Sequence, residues 1–223
     1  MPGVVLHNED IAPPALLGDW LHERQLPHTT LRVWEEGVPA DPREFDWIVA
    51  LGASDSATQT EPAWIPNEID LLRRAVDAEV PVLGICWGGQ ALSLALGGEI
   101  STARPPAWGW LEVDTENPGI VPRGPWLHFN HELFTVPDGA TPLASSPAGP
   151  GAFLLEPHLG IQFHPEVTPA IVDRWAADEE PTLAELGIDR EQLRAEGERL
   201  AGAAPARAYE LFDAWRSLTA ARE

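Results

Sequence analysis

The sequence predicts an α/β domain built on a doubly wound, mostly parallel sheet. Continuous apolar runs at residues 47–51 and 81–85 are typical of strands that are buried on both faces. Between them, residues 67–79 carry apolar residues at helical spacing. Because strands and helices alternate in this way, we expect parallel strands joined by crossover helices. Functional residues of such sheets cluster at the carboxyl ends of the strands.

The first part of the chain follows the same alternation. Residues 4–6 and 30–34 are predicted strands, and residues 15–24 between them are a predicted helix. Further along, the strand at 81–85 leads through Cys86 directly into a predicted helix. This junction places the cysteine at the carboxyl end of a buried strand.

The pattern changes after the first hundred residues. Residues 98–167 contain short alternating runs broken by Pro and Gly, which predict strands and loops. From residue 169 the pattern is helical and acidic, and it ends in an amphipathic helix at 206–221. No internal repeat or long linker separates these parts. We therefore expect one domain over residues 1–223, with a core at 1–168 and a helical C-terminal extension at 169–223.

The charge balance narrows the classes of partner. The chain has 35 acidic residues against 14 arginines and no lysine, for a formal net charge of −21. Such a surface repels phosphate backbones and anionic lipids, so neither nucleic-acid nor membrane binding is expected. Residues 1–10 lack the pattern of a signal peptide, and no apolar stretch is long enough to span a bilayer. The single cysteine fits a reducing compartment, so we expect a cytoplasmic protein.

The strongest local signal surrounds that cysteine. Cys86 stands between Gly84 and Gly88 where a buried strand turns into a helix, which is the arrangement of a nucleophile elbow. The partial positive charge at the helix N-terminus would stabilise a thiolate. The backbone N–H of Trp87, directly after the cysteine, is the expected donor to an oxyanion. A lone cysteine is more often a small core residue, but the glycine frame favours a nucleophile.

A second signal lies at residues 162–166, which read Q-F-H-P-E. His164 and Glu166 are two residues apart, so in an extended segment their side chains point to the same side. Pro165 biases the backbone towards that extended conformation. Glu166 can therefore hold the ring of His164, which can take a proton from Cys86 and pass it to a leaving nitrogen.

No metal or cofactor is expected. The histidines at positions 128, 131, 158 and 164 lack the short paired spacing of a zinc site. Phosphate-binding and dinucleotide-binding glycine motifs are absent from the sequence.

Together these motifs resemble those of the class I (triad) glutamine amidotransferases. Residues 84–90, G-I-C-W-G-G-Q, resemble the family's G-x-C-x-G-x-Q, and residues 162–166 match its Q-F-H-P-E. Residues 51–54 stand where the family carries a glycine-rich oxyanion loop, and residues 64–68 resemble the following segment of stand-alone members. The resemblance implies the flavodoxin-like fold of this family and a stand-alone, GMP-synthase-like amidotransferase domain.

The resemblance also implies a role for individual residues. It implies that Cys86 is the nucleophile, His164 the base and Glu166 the third member of the triad. It also implies that the oxyanion hole is formed by Gly52, Ala53 and Trp87, and that Gln90 binds the substrate.

Two departures from the family pattern concern the substrate. Ala53 replaces the second glycine of the oxyanion loop. Residues 129–132, F-N-H-E, stand where the family usually has S-H-G or W-H-G-D. That segment normally contacts the amino-acid end of the substrate, so Asn130 and His131 are assigned to substrate binding here.

The leading hypothesis is a cysteine hydrolase that cleaves the γ-amide of glutamine through a γ-glutamyl thioester and releases ammonia for a separate synthase subunit. One alternative is a stand-alone hydrolase of another γ-glutamyl amide. A second alternative is a non-catalytic binding protein on the same fold, which the intact triad disfavours. The ammonia acceptor stays open at this point, as does assembly into a homo-oligomer.

Overall fold

The computed structural model describes residues 1–220, without the side chains of Pro105 and Ala220. Strands in this range are β1 Gly3–His7, β2 His28–Arg32, β3 Ile48–Ala50, β4 Val82–Ile85, β5 Ile100–Leu111, β6 Asp114–Thr115, β7 Trp126–Phe134, β8 Thr141–Ser146, β9 Gly149–Leu155 and β10 His158–Ile161. The main sheet has the order β2-β1-β3-β4-β10-β9-β8-β6, and β5 pairs separately with β7. Its first five strands are parallel and the last three add an antiparallel edge. This confirms the predicted sheet.

Helices cover both faces of this sheet. In the described part of the chain they are α1 Ala15–Glu23, α2 Val33–Glu36, α3 Trp64–Asp77, α4 Trp87–Ala95, α5 Pro169–Asp178, α6 Glu180–Glu185, α7 Arg190–Leu200 and α8 Ala204–Ala220, with a 3-10 turn at Pro42–Glu44. None of these helices is both long enough and apolar enough to cross a membrane.

Alternate residues of one strand enter two different cores. In β1, Val5 packs into the core covered by α1 and α8, whereas Val4 and Leu6 pack into the core under α3 and α4. Successive side chains of a strand point to opposite faces, so a strand between two helical layers must be apolar on both sides. The central strands therefore have little freedom to shift, and the loops at their carboxyl ends are held firmly.

The C-terminal helices pack against two different parts of the structure. Trp175 and Leu193, from α5 and α7, pack with Trp108 and Leu127 of the β5–β7 pair in a third apolar cluster. Helix α8 instead returns to the main sheet, where its Trp215 is fully buried. The predicted boundary at residue 168 stays a prediction. The predicted helix end at 221 and the domain end at 223 lie outside the described residues.

One predicted strand lies two residues earlier in the chain than expected, at His28–Arg32. The strand predicted at residues 30–34 ends at Arg32, and Trp34 lies in the single turn of α2. The side chain of Glu36 accepts a hydrogen bond from the backbone N–H of Arg32 at 2.9 Å and so closes the turn. Gly37 then ends it at φ +79°, a conformation that few other residues adopt. This local capping outweighs the strand propensity of the aromatic residue.

Candidate active site

The predicted nucleophile lies on a sharp turn between β4 and α4. Cys86 has φ +53° and ψ −108°, a strained backbone conformation for a residue with a side chain. Its N–H donates to the carbonyl of Ile161 at 2.9 Å, and its carbonyl accepts from the N–H of Gln90 at 3.0 Å. These two bonds, one to β10 and one within the new helix, hold the strained turn in place.

Three glycines allow α4 to lie this close to the sheet. A Cβ atom on Gly84 would lie 2.3 Å from the carbonyl oxygen of Gly88, and one on Gly88 would lie 2.1 Å from that of Ala50. A Cβ on Gly89 would lie 2.4 Å from the carbonyl oxygen of Ile161. All three distances are shorter than real Cβ contacts, so the elbow requires glycine at each position.

The histidine and glutamate of the Q-F-H-P-E motif form a buried pair after β10. Nδ1 of His164 lies 2.7 Å from Oε1 of Glu166, and both side chains are almost fully buried. The backbone N–H of His164 donates to the carbonyl of Leu127, and the carbonyl of Glu166 accepts from the N–H of Leu16, each at 2.9 Å. The ring of His164 also meets the edge of Trp175 with centroids 4.9 Å apart. The imidazole therefore has one fixed orientation.

The charges around His164 favour its protonated form. Burial by itself lowers its pKa, but the neighbouring Cys86 and Glu166 more than reverse this effect and raise the pKa well above the ordinary value of 6.5. A second histidine close by, His128, behaves oppositely: burial lowers its pKa to about 4, so it stays neutral at physiological pH. Of these two buried histidines, only His164 is set up to hold a proton beside the thiol.

The residues predicted for the oxyanion hole lie at the same place. A Cβ on Gly52 would be 3.2 Å from Cε1 of His164 and 3.9 Å from Cβ of Cys86, so the loop after β3 passes directly over both. Ala53 follows and lines the cavity over Cys86 that is described below. Trp87 is the first residue of α4, and the backbone N–H of a first helical residue has no acceptor within its helix. Their role as oxyanion donors stays a prediction.

One contact to the sulfur was not predicted from the sequence. The amide nitrogen of Gln162 donates to Sγ of Cys86 at 3.8 Å, and the Gln162 side chain is completely buried. Its position two residues before His164 in an extended segment is the available signal, because such residues point to the same side.

A cavity of about 360 Å³ opens over the cysteine. Gln90, Asn130 and His131, the residues predicted to bind substrate, all line it. The side-chain amide of Gln90 donates to the carbonyl of Glu132 at 2.9 Å and so ties α4 to β7, and the side-chain amide of Asn130 donates to the same carbonyl at 3.0 Å. His131 is exposed at the cavity. Their contact with a substrate stays a prediction.

The lining of this cavity is acidic and aromatic. Its aromatic wall includes Trp108 and Phe129, which stack with centroids 4.1 Å apart. No arginine belongs to the described lining, whose carboxylates are those of Glu9, Asp55, Glu132, Asp178 and Glu179. Within residues 1–220, no group of three or more His, Cys, Asp and Glu side chains could hold a metal ion.

Comparison with known proteins identifies the family. The family model for glutamine amidotransferase class-I matches residues 44–174, which is more than half of the chain. A GMP synthase (glutamine-hydrolyzing) of Brucella melitensis is 35% identical over 132 residues, covering 54% of this chain and 25% of that protein. The corresponding protein of Vibrio vulnificus is 29% identical over 140 residues, covering 58% of this chain and 26% of its own length. The chain thus spans about a quarter of these relatives.

Solved structures with the same fold cover nearly the whole chain. A glutamine amidotransferase of Methylobacillus flagellatus has a TM-score of 0.88 at 22% identity and covers 97% of this chain and 94% of its own. A glutamine amidotransferase of Thermotoga maritima has a TM-score of 0.85 at 22% identity, with 96% and 97% covered. The fold agrees with the family match at residues 44–174, and this chain belongs to the class-I glutamine amidotransferase family.

Proposed function

We propose that this chain hydrolyses the γ-amide of glutamine through a γ-glutamyl thioester on Cys86 and releases ammonia for a partner enzyme. The observation that carries the proposal is the buried pair of His164 and Glu166, 2.7 Å apart, beside a cysteine on a strained elbow. Nucleophile, base and orienting group are then present in one site. We also propose that the protein acts in the cytoplasm, because a single cysteine fits a reducing compartment.

The first half of the reaction forms the thioester. The thiolate of Cys86 attacks the γ-carbonyl carbon, and the carbonyl oxygen becomes an oxyanion that accepts hydrogen bonds from the backbone amides near Gly52 and at Trp87. The carbon–nitrogen bond then breaks, and protonated His164 gives its proton to the leaving nitrogen as ammonia departs. The raised pKa of His164 supports this acid role, because the ring holds a proton before the substrate arrives.

The second half regenerates the enzyme. Neutral His164 now takes a proton from water, and the resulting hydroxide attacks the thioester carbon. The carbon–sulfur bond breaks, glutamate leaves, and the proton on His164 is again available to the thiolate. Glu166 stabilises the imidazolium that exists at the start and at the end of this cycle.

The relatives support glutamine as the substrate and a synthase as the partner. The Brucella melitensis and Vibrio vulnificus relatives are glutamine-hydrolyzing GMP synthases, and this chain aligns with about a quarter of each. We infer from these relatives that the released ammonia is passed to a synthase.

A second candidate function is hydrolysis of a γ-glutamyl amide other than glutamine. The acidic lining of the cavity favours it, because Glu9, Asp55 and Glu132, with no arginine among the described lining residues, would attract a positively charged amine part that free glutamine does not have. A γ-glutamyl amide whose amine part carries a positive charge would meet these carboxylates favourably.

The test is a substrate screen with labelling of the cysteine. We expect the isolated protein to hydrolyse free glutamine slowly, below the usual enzyme range of about 1–1000 per second. The glutamine analogue 6-diazo-5-oxonorleucine should nevertheless label Cys86, and the Cys86→Ala variant should show neither labelling nor hydrolysis.

Three other outcomes would change the proposal. Fast glutamine hydrolysis with no partner present would indicate a self-sufficient glutaminase. Preference for another γ-glutamyl amide would favour the second candidate. If Cys86 were not labelled and no γ-glutamyl amide in the screen were hydrolysed, both functions would be excluded.

A further inference from the structure

The first four residues of the loop after β3, residues 51–54, are held at both ends by two consecutive residues that follow β1. The side-chain amide of Asn8 donates to the carbonyl of Leu51 at 3.0 Å. The carboxylate of Glu9 accepts from the backbone N–H of Ser54 at 2.8 Å and from its hydroxyl at 2.7 Å. Gly52 is one of the two residues between these anchors, so this stretch of the loop is fixed from one neighbouring segment.

The first anchor is itself fixed from the opposite side. Asn8 is 3% exposed, and its amide nitrogen donates to Oε1 of Glu68 at 3.1 Å as well as to the loop. Glu68 is completely buried in the first turns of α3. An amide that donates both of its hydrogens to fixed acceptors has one orientation. Asn8 therefore connects the loop to a rigid helix.

The second anchor lies at the edge of the cavity. Glu9 is half-buried and Ser54 is exposed, so this end of the loop would be free in water without the carboxylate. The two hydrogen bonds to one ionised oxygen are of the strong, charge-assisted kind. They belong to the side of the loop that continues into exposed residues, where the backbone has few other contacts.

We propose that Asn8 and Glu9 are positioning residues, which set the direction of the backbone amides of Gly52 and Ala53 towards the oxyanion. This inference rests on the proposed function, since it assigns the anchors to the same oxyanion hole. The physical reason is that such donors act only when they are already in place at about 3 Å from the developing charge. A shift of about 1 Å in such a group can cost on the order of a hundredfold in rate.

The test compares two reactions of Cys86 in the whole protein. Hydrolysis of a γ-glutamyl amide and reversible addition of glutamate γ-semialdehyde both create an oxyanion. Alkylation by iodoacetamide displaces iodide and creates none. In Glu9→Ala we expect kcat to fall about tenfold to a hundredfold, with affinity for the aldehyde falling in parallel. The alkylation rate should stay within about twofold of the wild-type rate, because Cys86 and His164 are untouched.

A matched control and a conservative variant distinguish the loss of the hydrogen bonds to Ser54 from the loss of a negative charge. Asp10→Ala removes one negative charge from the next position, where the side chain is exposed and makes no hydrogen bond to the loop within residues 1–220. It should leave all three reactions unchanged. Glu9→Gln keeps an oxygen acceptor for Ser54 and should recover most of the lost rate.

Asn8→Ala provides a second route to the same answer. Its hydrolysis rate and aldehyde affinity should fall, and its alkylation rate should stay close to that of the wild type. We expect this result even if loss of the buried amide lowers the unfolding temperature of the variant. Equal rates and aldehyde affinity in Glu9→Ala and wild type would overturn the inference while leaving the proposed function intact. A parallel loss of alkylation would also overturn it, because the anchors would then act on the whole site. A wild-type protein that binds no aldehyde and hydrolyses no γ-glutamyl amide would overturn the proposed function itself, and with it the inference.

Discussion

The elbow and the wall of the cavity contrast in how their positions are fixed. At the elbow, glycines at 84, 88 and 89 bring backbone atoms closer than any side chain would allow, and the neighbouring His164–Glu166 pair is buried. The wall at residues 129–132 includes an exposed histidine and a glutamate, and the side chain of Gln90 joins it to α4 by a hydrogen bond. Groups of the first kind cannot move without breaking the fold, whereas groups of the second kind can change without such damage.

This difference separates the residues proposed for bond making and breaking from those proposed for substrate selection. The proposed reacting atoms lie where the packing of the sheet against its helices allows only one backbone conformation. The groups that face the remainder of a substrate lie where substitutions are tolerated. The comparison therefore predicts large, general losses at the elbow and small, substrate-dependent changes at the wall.

The largest effect should come from adding a single methyl group at the elbow. In Gly88→Ala the new Cβ would lie 2.1 Å from the carbonyl oxygen and 2.6 Å from the carbonyl carbon of Ala50, which leaves it no space. We expect a loss of about 3 kcal/mol or more in the free energy of unfolding, measured by chemical denaturation. Gly202→Ala is the matched control, since its Cβ would meet nothing within 4 Å. If both variants unfolded at the same denaturant concentration, the close approach at the elbow would not be required.

The next effect concerns the charge beside the base. Glu166→Gln keeps the shape of the side chain, 2.7 Å from His164, but removes the charge that stabilises the imidazolium. We expect kcat to fall roughly tenfold to a thousandfold, with less loss than in Cys86→Ala. Steady-state hydrolysis of the preferred γ-glutamyl amide measures this. A variant as fast as the wild type would show that Glu166 is only a neighbour of the histidine.

A third effect should appear in the free energy of unfolding. Burial raises the pKa of Glu68 from 4.5 to about 8, despite a hydrogen bond from Asn8 that lowers it. The folded protein therefore holds a proton that the unfolded chain releases, so Glu68 contributes stability below about pH 4.5 that is lost as the pH rises through 8.

Glu68→Gln should remove that dependence. Relative to wild type, the variant should gain on the order of a few kcal/mol between about pH 5 and pH 9, because each pKa unit corresponds to about 1.4 kcal/mol. Denaturant unfolding of both proteins across this range measures the gain. Parallel curves would mean that Glu68 titrates normally.

The smallest effect is expected at the wall. His131→Ala should change KM, or the ranking of γ-glutamyl amides, by up to about tenfold and leave alkylation of Cys86 unaltered, because an exposed side chain contributes mainly to uniform binding. His22→Ala, at another exposed histidine, is the control. A loss in kcat as large as that of Glu166→Gln would place His131 in the chemistry and would remove the contrast between elbow and wall.

The parts of the site that the sequence predicts are those encoded by short spacing. Glycines two positions on either side of Cys86, and a histidine two residues before a glutamate, constrain the backbone within a few residues. The anchors of the oxyanion loop were not predicted. Asn8 and Leu51 are 43 residues apart, and Glu9 and Ser54 are 45 apart, so neither pair leaves a local pattern. Such contacts follow only from the adjacency of β1 and β3 in the sheet.

The fold shows the same division. Apolar runs and helical spacing predict the parallel strands, since burial on both faces requires them. The short helix at Trp34 is closed by a hydrogen bond from the backbone N–H of Arg32 to the side chain of Glu36, which composition does not reveal. The pairs β6–β8 and β5–β7 join strands that are not consecutive in the chain, and the alternating runs predict strands without predicting these partners.

The position of α8 has a consequence for how the chain folds during synthesis. Phe212 and Trp215 fill the same core as Val5 and Leu17, from the opposite end of the sequence. Until α8 has left the ribosome, one face of the sheet has apolar side chains that face water. Exposed apolar surface of this kind makes an incomplete chain prone to aggregation. The sheet, and with it the elbow of Cys86, can therefore reach its final form only after α8 has been synthesised.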